Sequence, residues 1–198
     1  MQTFEEYKKI AKHNGFEYYD KYNGRNLIIP SDRILNSKVC CMRDNDFVFF
    51  ASDSYAAKAY VSSTFSGVYG TLPIQTDYFK AMITKHFWFD FLAFEKRVTT
   101  GDSYLDKNLR ITTNNVELIL RVLNVRVVDM YLNMWNKYSS VKIVMGSNYL
   151  PEVDALKDKL VVGVELKEWI IPERFDETYK DFKKLIVTMS NMLSKDWK

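Results

Sequence analysis

The stretch SKVCCMRDNDFVFF, residues 37–50, decides how the chain folds. Two short apolar runs, KVCCM and FVFF, flank Arg43-Asp44-Asn45-Asp46, a cluster of residues that favour turns, so the segment reads as two strands folded back on each other. The preceding segment repeats the pattern: FEYYD at 16–20, then Asn23-Gly24, then NLII at 26–29. Asn-Gly tolerates the positive φ angles of hairpin turns. Together these runs predict a meander of about four antiparallel strands. Cys40 and Cys41 are adjacent within it, and a disulfide between sequence neighbours is strained. They read as one thiol on each face of a strand, in a reducing cytoplasmic setting.

Helices bracket this meander. Thr3 and Glu6 make a capping box, Phe4, Tyr7, Ile10 and Ala11 share a face, and Asn14-Gly15 ends the turn pattern. At the other end, Phe175, Tyr179, Phe182, Leu185, Ile186, Met189, Met192 and Leu193 keep helical spacing after Pro172. In the middle, Asn114 lies three residues before Glu117 and is the expected cap of a helix VELILRVL; a second helix is expected after Asn124. Leu109 and Ile111 alternate with polar residues as in a strand, and VKIVM and LVVGVEL read as two more, the second apolar enough for mid-sheet. Residues 52–74 read as a further strand or an irregular crossover. Residues 78–87 allow a helix, while FWFDF at 87–91 alternates as a strand does, and periodicity alone leaves both open. The expectation is α+β: a mainly antiparallel twisted sheet, helices at both termini, a central helix pair, and one domain over 1–198.

Composition narrows function by exclusion. The chain has 198 residues, 27% of them charged, with a net charge of +3. Both signs are interspersed, so no phosphate-tracking stripe supports nucleic-acid binding. The aromatic run at 79–94 is interrupted by Lys80, Lys85, His86 and Asp90 and falls short of the roughly 20 apolar residues of a membrane-spanning helix. The opening residues read as an amphipathic helix and not as a signal sequence.

Chemistry is harder to find. TTGDSYLD, residues 99–106, contains the Gly-Asp-Ser triplet of one class of esterases, which makes Ser103 a candidate nucleophile. Such a serine needs a histidine base, placed near the C-terminus in those enzymes. His13 and His86 are the only histidines, and both precede it. Asp102 and Asp106 are spaced to share a helical face, but the calcium-loop ligands and the phosphate-cradling glycine loop are both missing. Asp102 is expected to bond backbone N–H groups after a turn at Gly101, and Asp106 to pair with Arg110 or cap a turn. His86 with Asp90 is a further candidate base or metal ligand. Two histidines and two adjacent cysteines lack the spacing of a zinc site, and Gly67 and Gly70 do not make a dinucleotide fingerprint. The eight methionines fill a core or line a groove for a partner.

The pattern Thr100-Gly101-Asp102-x-x-Leu105-Asp106-x-x-Leu109-x-Ile111 resembles the central motif of a family of uncharacterised bacterial domains that usually follow one or two N-terminal transmembrane helices. Phe65-Ser66-Gly67 before an aliphatic-aromatic strand is similar to a second element of that family, and the likeness runs over residues 47–195. Leu105 and Leu109 stand where the family usually has phenylalanine, and its membrane helices have no counterpart in this sequence. The resemblance implies an architecture and no mechanism: Gly101 and Asp102 as a turn, Leu105, Leu109 and Ile111 as core anchors.

Three functional readings follow. The first is a non-enzymatic cytoplasmic domain that binds a protein partner or forms a homodimer through the aromatic surface at 78–94 or the strand edges. The second is an enzyme or small-ligand receptor whose site is assembled from Asp102, Ser103, Asp106 and His86. The third is peripheral membrane contact through the aromatic run. No metal, cofactor or nucleic acid is expected in the first.

Overall fold

A computed structural model describes residues 4–20, 36–56, 61–87, 97–150 and 153–195. The hairpin at its centre is β2 (Asn36–Asp44) and β3 (Phe47–Ala56), paired from Asn36↔Tyr55 to Asp44↔Phe47. Only Asn45 and Asp46 connect them. Asn45 takes a left-handed φ of 46°, which its short polar side chain tolerates.

The remaining strands are β1 (Glu17–Tyr19), β4 (Val61–Thr71), β5 (Lys80–Lys85), β6 (Leu109–Thr113), β7 (Lys142–Ser147) and β8 (Leu160–Leu166). Among the described residues they join in one eight-stranded sheet of order β1-β2-β3-β4-β8-β7-β5-β6. Each pairing in it is antiparallel. With helices α1 (Phe4–Asn14), α2 (Ser103–Asn108), α3 (Val116–Val122), α4 (Val125–Tyr138) and α5 (Phe175–Lys195), the chain is α+β. The strand at 26–29, its Asn23-Gly24 turn, Thr3 of the capping box, residues 88–91 of FWFDF and the Asp90 partner expected for His86 lie outside the described residues.

Strand alternation divides the apolar residues between two faces. Cys40, Met42, Phe49, Val68, Ile83, Ile111, Ile143 and Val164 face the helices, and α5 adds Phe175, Phe182, Leu185, Ile186, Met189 and Leu193 to the same core. Burying each such side chain contributes roughly 1.5–3 kcal/mol, which is why this amphipathic helix lies along the sheet. Cys41, Val48, Phe50, Phe65, Tyr69, Val144 and Val161 form a second cluster with Leu150, Val153 and Leu156 from the β7–β8 connection. The neighbouring cysteines thus occupy opposite faces, and burial pushes both thiols up to about 12.

Four local expectations need correction or completion. Residues 80–85 are a strand, because β6 and β7 pair with its backbone on either side while Ala81 and Ile83 bury their side chains in the core facing the helices. Residues 61–71 form a long regular strand and not an irregular crossover. The cap of α3 is Asn115, whose side chain accepts from Leu118 N, whereas Asn114 is engaged elsewhere. Leu105 anchors through helix α2, and only Leu109 and Ile111 anchor through the strand β6.

Candidate functional site

The Gly-Asp-Ser segment is a helix start. Gly101 turns the chain with φ 83°, and Asp102 then caps α2 by accepting from Tyr104 N at 2.8 Å and Leu105 N at 3.1 Å. Its carboxylate therefore points back onto its own backbone. Asp106 closes the same turn from the other side, accepting from Thr100 N at 2.9 Å, the Thr100 hydroxyl at 3.0 Å and Gly101 N at 3.2 Å. Burial pushes the Asp106 carboxyl up, but these donors and the nearby Arg97 charge outweigh it and hold the group below its ordinary value. The Arg97 guanidinium donates to the Asp106 carbonyl oxygen. Ser103 is exposed on the first turn.

His86 belongs to the far end of this helix. Its backbone N–H donates to Asn108 O at 2.9 Å, where α2 passes into β6. Six residues at a rise of about 1.5 Å place that point roughly 9 Å from the cap. The fold brings Asp102 and Asp106 together around one turn, with Ser103 beside them, and ties the main chain of His86 to the opposite end.

A different residue stands out once the chain is folded. Tyr78 is 89% exposed, although its neighbour Phe79 is buried, and it holds a left-handed φ of 60°. A non-glycine residue pays about 1–2 kcal/mol for that conformation, so the surroundings must impose it. They do so from both sides. Asn114 donates its side-chain amide to Tyr78 O and accepts from Lys80 N at 3.0 Å, and the Thr113 hydroxyl donates to Lys80 O at 3.1 Å. Across the strand, Ser147 N donates to Phe79 O at 2.9 Å, Phe79 N donates to the Ser147 hydroxyl at 3.2 Å, and that hydroxyl donates to Thr76 O. The result is a phenol ring carried on a pinned backbone.

A polar cluster also lies within the second face of the sheet. Glu165 on β8 is 1% exposed; its Oε1 accepts from the hydroxyls of Tyr69 and Tyr149, each at 2.8 Å, and Lys142 Nζ lies 2.8 Å from Oε2. Burial, reinforced by the Glu165 charge, pushes the Tyr149 phenol far up. The Tyr69 ring reaches Glu165 by lying over Gly163, where a Cβ would come within 2.4 Å of it. Each carboxylate oxygen has a donor from this chain, so the cluster works as a buried tie joining β4, β7, β8 and Tyr149.

Sequence reading missed both features. Glu165 is hidden in LVVGVEL, whose apolar character dominates, and its donors are up to 96 positions away. Tyr78 appears there only as the start of an aromatic run. Among the described residues no group of three or more His, Cys, Asp and Glu side chains is placed to hold a metal ion, and no helix is long and apolar enough to cross a membrane. No known family, curated protein or solved structure matches the chain, so the functional reading rests on geometry.

Proposed function

We propose that this chain is a non-enzymatic domain that docks to a protein, with Tyr78 as the anchoring contact. The observation that carries the reading is the combination of 89% exposure with a backbone clamped by Asn114 and Ser147. Burying an aromatic side chain at an interface removes roughly 150–250 Å² from water. Tyrosine is enriched among residues whose truncation costs about 2 kcal/mol or more of binding. A ring on a fixed backbone has less freedom to lose on binding, which leaves more of that gain as affinity. The position also fits the aromatic segment expected to meet a partner. By contrast, the carboxylates of Asp102 and Asp106 are occupied by their own turn, and no observation favours a reaction there. The unpaired thiols of Cys40 and Cys41 suit a reducing, cytoplasmic setting.

The test is photo-crosslinking in the producing cell, with Tyr78 replaced by a benzophenone-bearing phenylalanine and the same probe at exposed Val187 as control. A discrete protein adduct from position 78 and none from position 187 is the expected result. Equal, diffuse labelling from both positions sinks the proposal.

A further inference from the structure

The groove between α4 and α5 is a recess of about 220 Å³ lined by Met130, Asn133, Met134, Lys137, Asp181 and Lys184. It is smaller than the roughly 300–1,000 Å³ of small-molecule sites and suits a single anchoring side chain. Two of its lining residues, Met130 and Met134, are thioethers, the group that adapts its shape and contacts aromatic rings favourably. Its rim is polar and fixed at one end: Lys137 Nζ lies 2.6 Å from Glu177 and 2.7 Å from Asp181, and the Tyr138 hydroxyl donates to Asp181 at 2.7 Å. Exposed Lys184 takes part in none of the ion pairs among the described residues.

The protruding group on this chain matches that recess. Tyr78 supplies an aromatic ring with a hydroxyl at its tip, and exposed Asp77 and Lys80 stand near it with opposite charges. An acid near the ring suits Lys184, while Asp181 and Glu177 are already held by Lys137. We infer that the partner is a second copy of this chain, whose α4–α5 groove receives Tyr78. The inference rests on the docking reading of Tyr78 and adds the identity of the partner. Knob and groove are different patches, so each copy gives one contact and receives one, and the copies close as a two-fold dimer or grow as rings or chains. One anchor of roughly 150–250 Å² falls well below the ~1,200 Å² of stable complexes, so association is weak and rises with concentration.

Sedimentation velocity of the full chain up to about 1 mM, the range where weak complexes populate, tests this. Wild type should show a mass that grows with concentration. Tyr78→Asn, which tolerates the left-handed backbone, and Asn133→Trp, which fills the groove from an exposed rim position, should each stay monomeric. Their equimolar mixture should form a 1:1 heterodimer and nothing larger, because one copy keeps its groove and the other its knob. Circular dichroism of both variants guards against loss of fold. A wild type that stays monomeric throughout, or a mixture that fails to associate, overturns the inference. If the crosslink at position 78 captures a different protein, this inference falls while the docking reading stands. If wild type associates but Tyr78→Asn associates equally well, this inference falls, and the crosslink at position 78 decides the docking reading separately.

Discussion

The side-chain amide of Asn114 donates to the carbonyl oxygen of Tyr78 across 36 positions of sequence. A residue of the type that caps helices is thereby spent on holding an exposed tyrosine, while its neighbour Asn115 caps α3.

Asn114→Ala and Asn115→Ala should therefore differ in kind. Loss of the Asn115 cap should cost about 1 kcal/mol and fray α3. Loss of Asn114 removes two hydrogen bonds, at about 1 kcal/mol each, and should speed hydrogen exchange at the Lys80 amide without fraying α3. Equal exchange at Lys80 in wild type and Asn114→Ala counts against the clamp.

Gly101 and Gly163 should respond to alanine for different reasons. Nothing lies within 4 Å of a Cβ at Gly101, so Gly101→Ala should cost only the left-handed backbone, about 1–2 kcal/mol. At Gly163 the same methyl meets the Tyr69 ring, which must move and give up Glu165, so Gly163→Ala should cost about 3 kcal/mol or more. Urea denaturation that ranks the two in the opposite order contradicts this packing.

Glu165→Leu should be the most damaging single change in the second face. It leaves Lys142, Tyr69 and Tyr149 facing an apolar group, and breaking a buried pair in this way costs roughly 3–5 kcal/mol. Glu165→Gln keeps an acceptor for the hydroxyls and should cost less. Chemical denaturation curves for both variants test the ranking, and equal losses would show that the Glu165 charge, removed in both, matters there and the retained acceptor does not.

Asp106 links stability to acid. Its folded-state carboxyl lies below the ordinary 3.8, so it stabilises the fold when ionised in both states. That contribution is fully present above about pH 4 and is lost as pH falls through the lower folded value. Wild type should exceed Asp106→Asn in stability at pH 6, and the gap should close toward pH 2, as read by denaturant titration at each pH. A gap that stays constant over that range would falsify the assignment.

Ser103→Ala should change stability by less than about 0.5 kcal/mol, since the hydroxyl is exposed on the first turn of α2. A serine-directed phosphonate should leave the protein unlabelled; stoichiometric labelling at Ser103 would reopen the enzyme reading.

Several elements were legible because their causes are local. Asn45 turns the β2–β3 hairpin by its own conformational tolerance, Asn124 caps α4 through its own side chain by accepting from Val127 N, and the apolar stripe of α5 follows from helical spacing. Where two local readings competed, only tertiary contacts chose. Residues 80–85 became a strand because β6 and β7 lie on either side to take their hydrogen bonds. Asn114 and Asn115 are equivalent as caps until Tyr78 and Lys80 arrive from 34 to 36 positions away.

The sequence by itself determined the class of this protein, an antiparallel sheet flanked by helices, because alternation, helical periodicity and turn chemistry act over a few neighbouring residues. It also showed that Ser103 lacks a downstream histidine. Only the tertiary structure decided which polar groups matter: the saturated carboxylate of Glu165, the capping role of Asp102 and the presentation of Tyr78. Exposure, burial and hydrogen-bond partnership are properties of residues brought together from distant parts of the chain, and no local pattern encodes them.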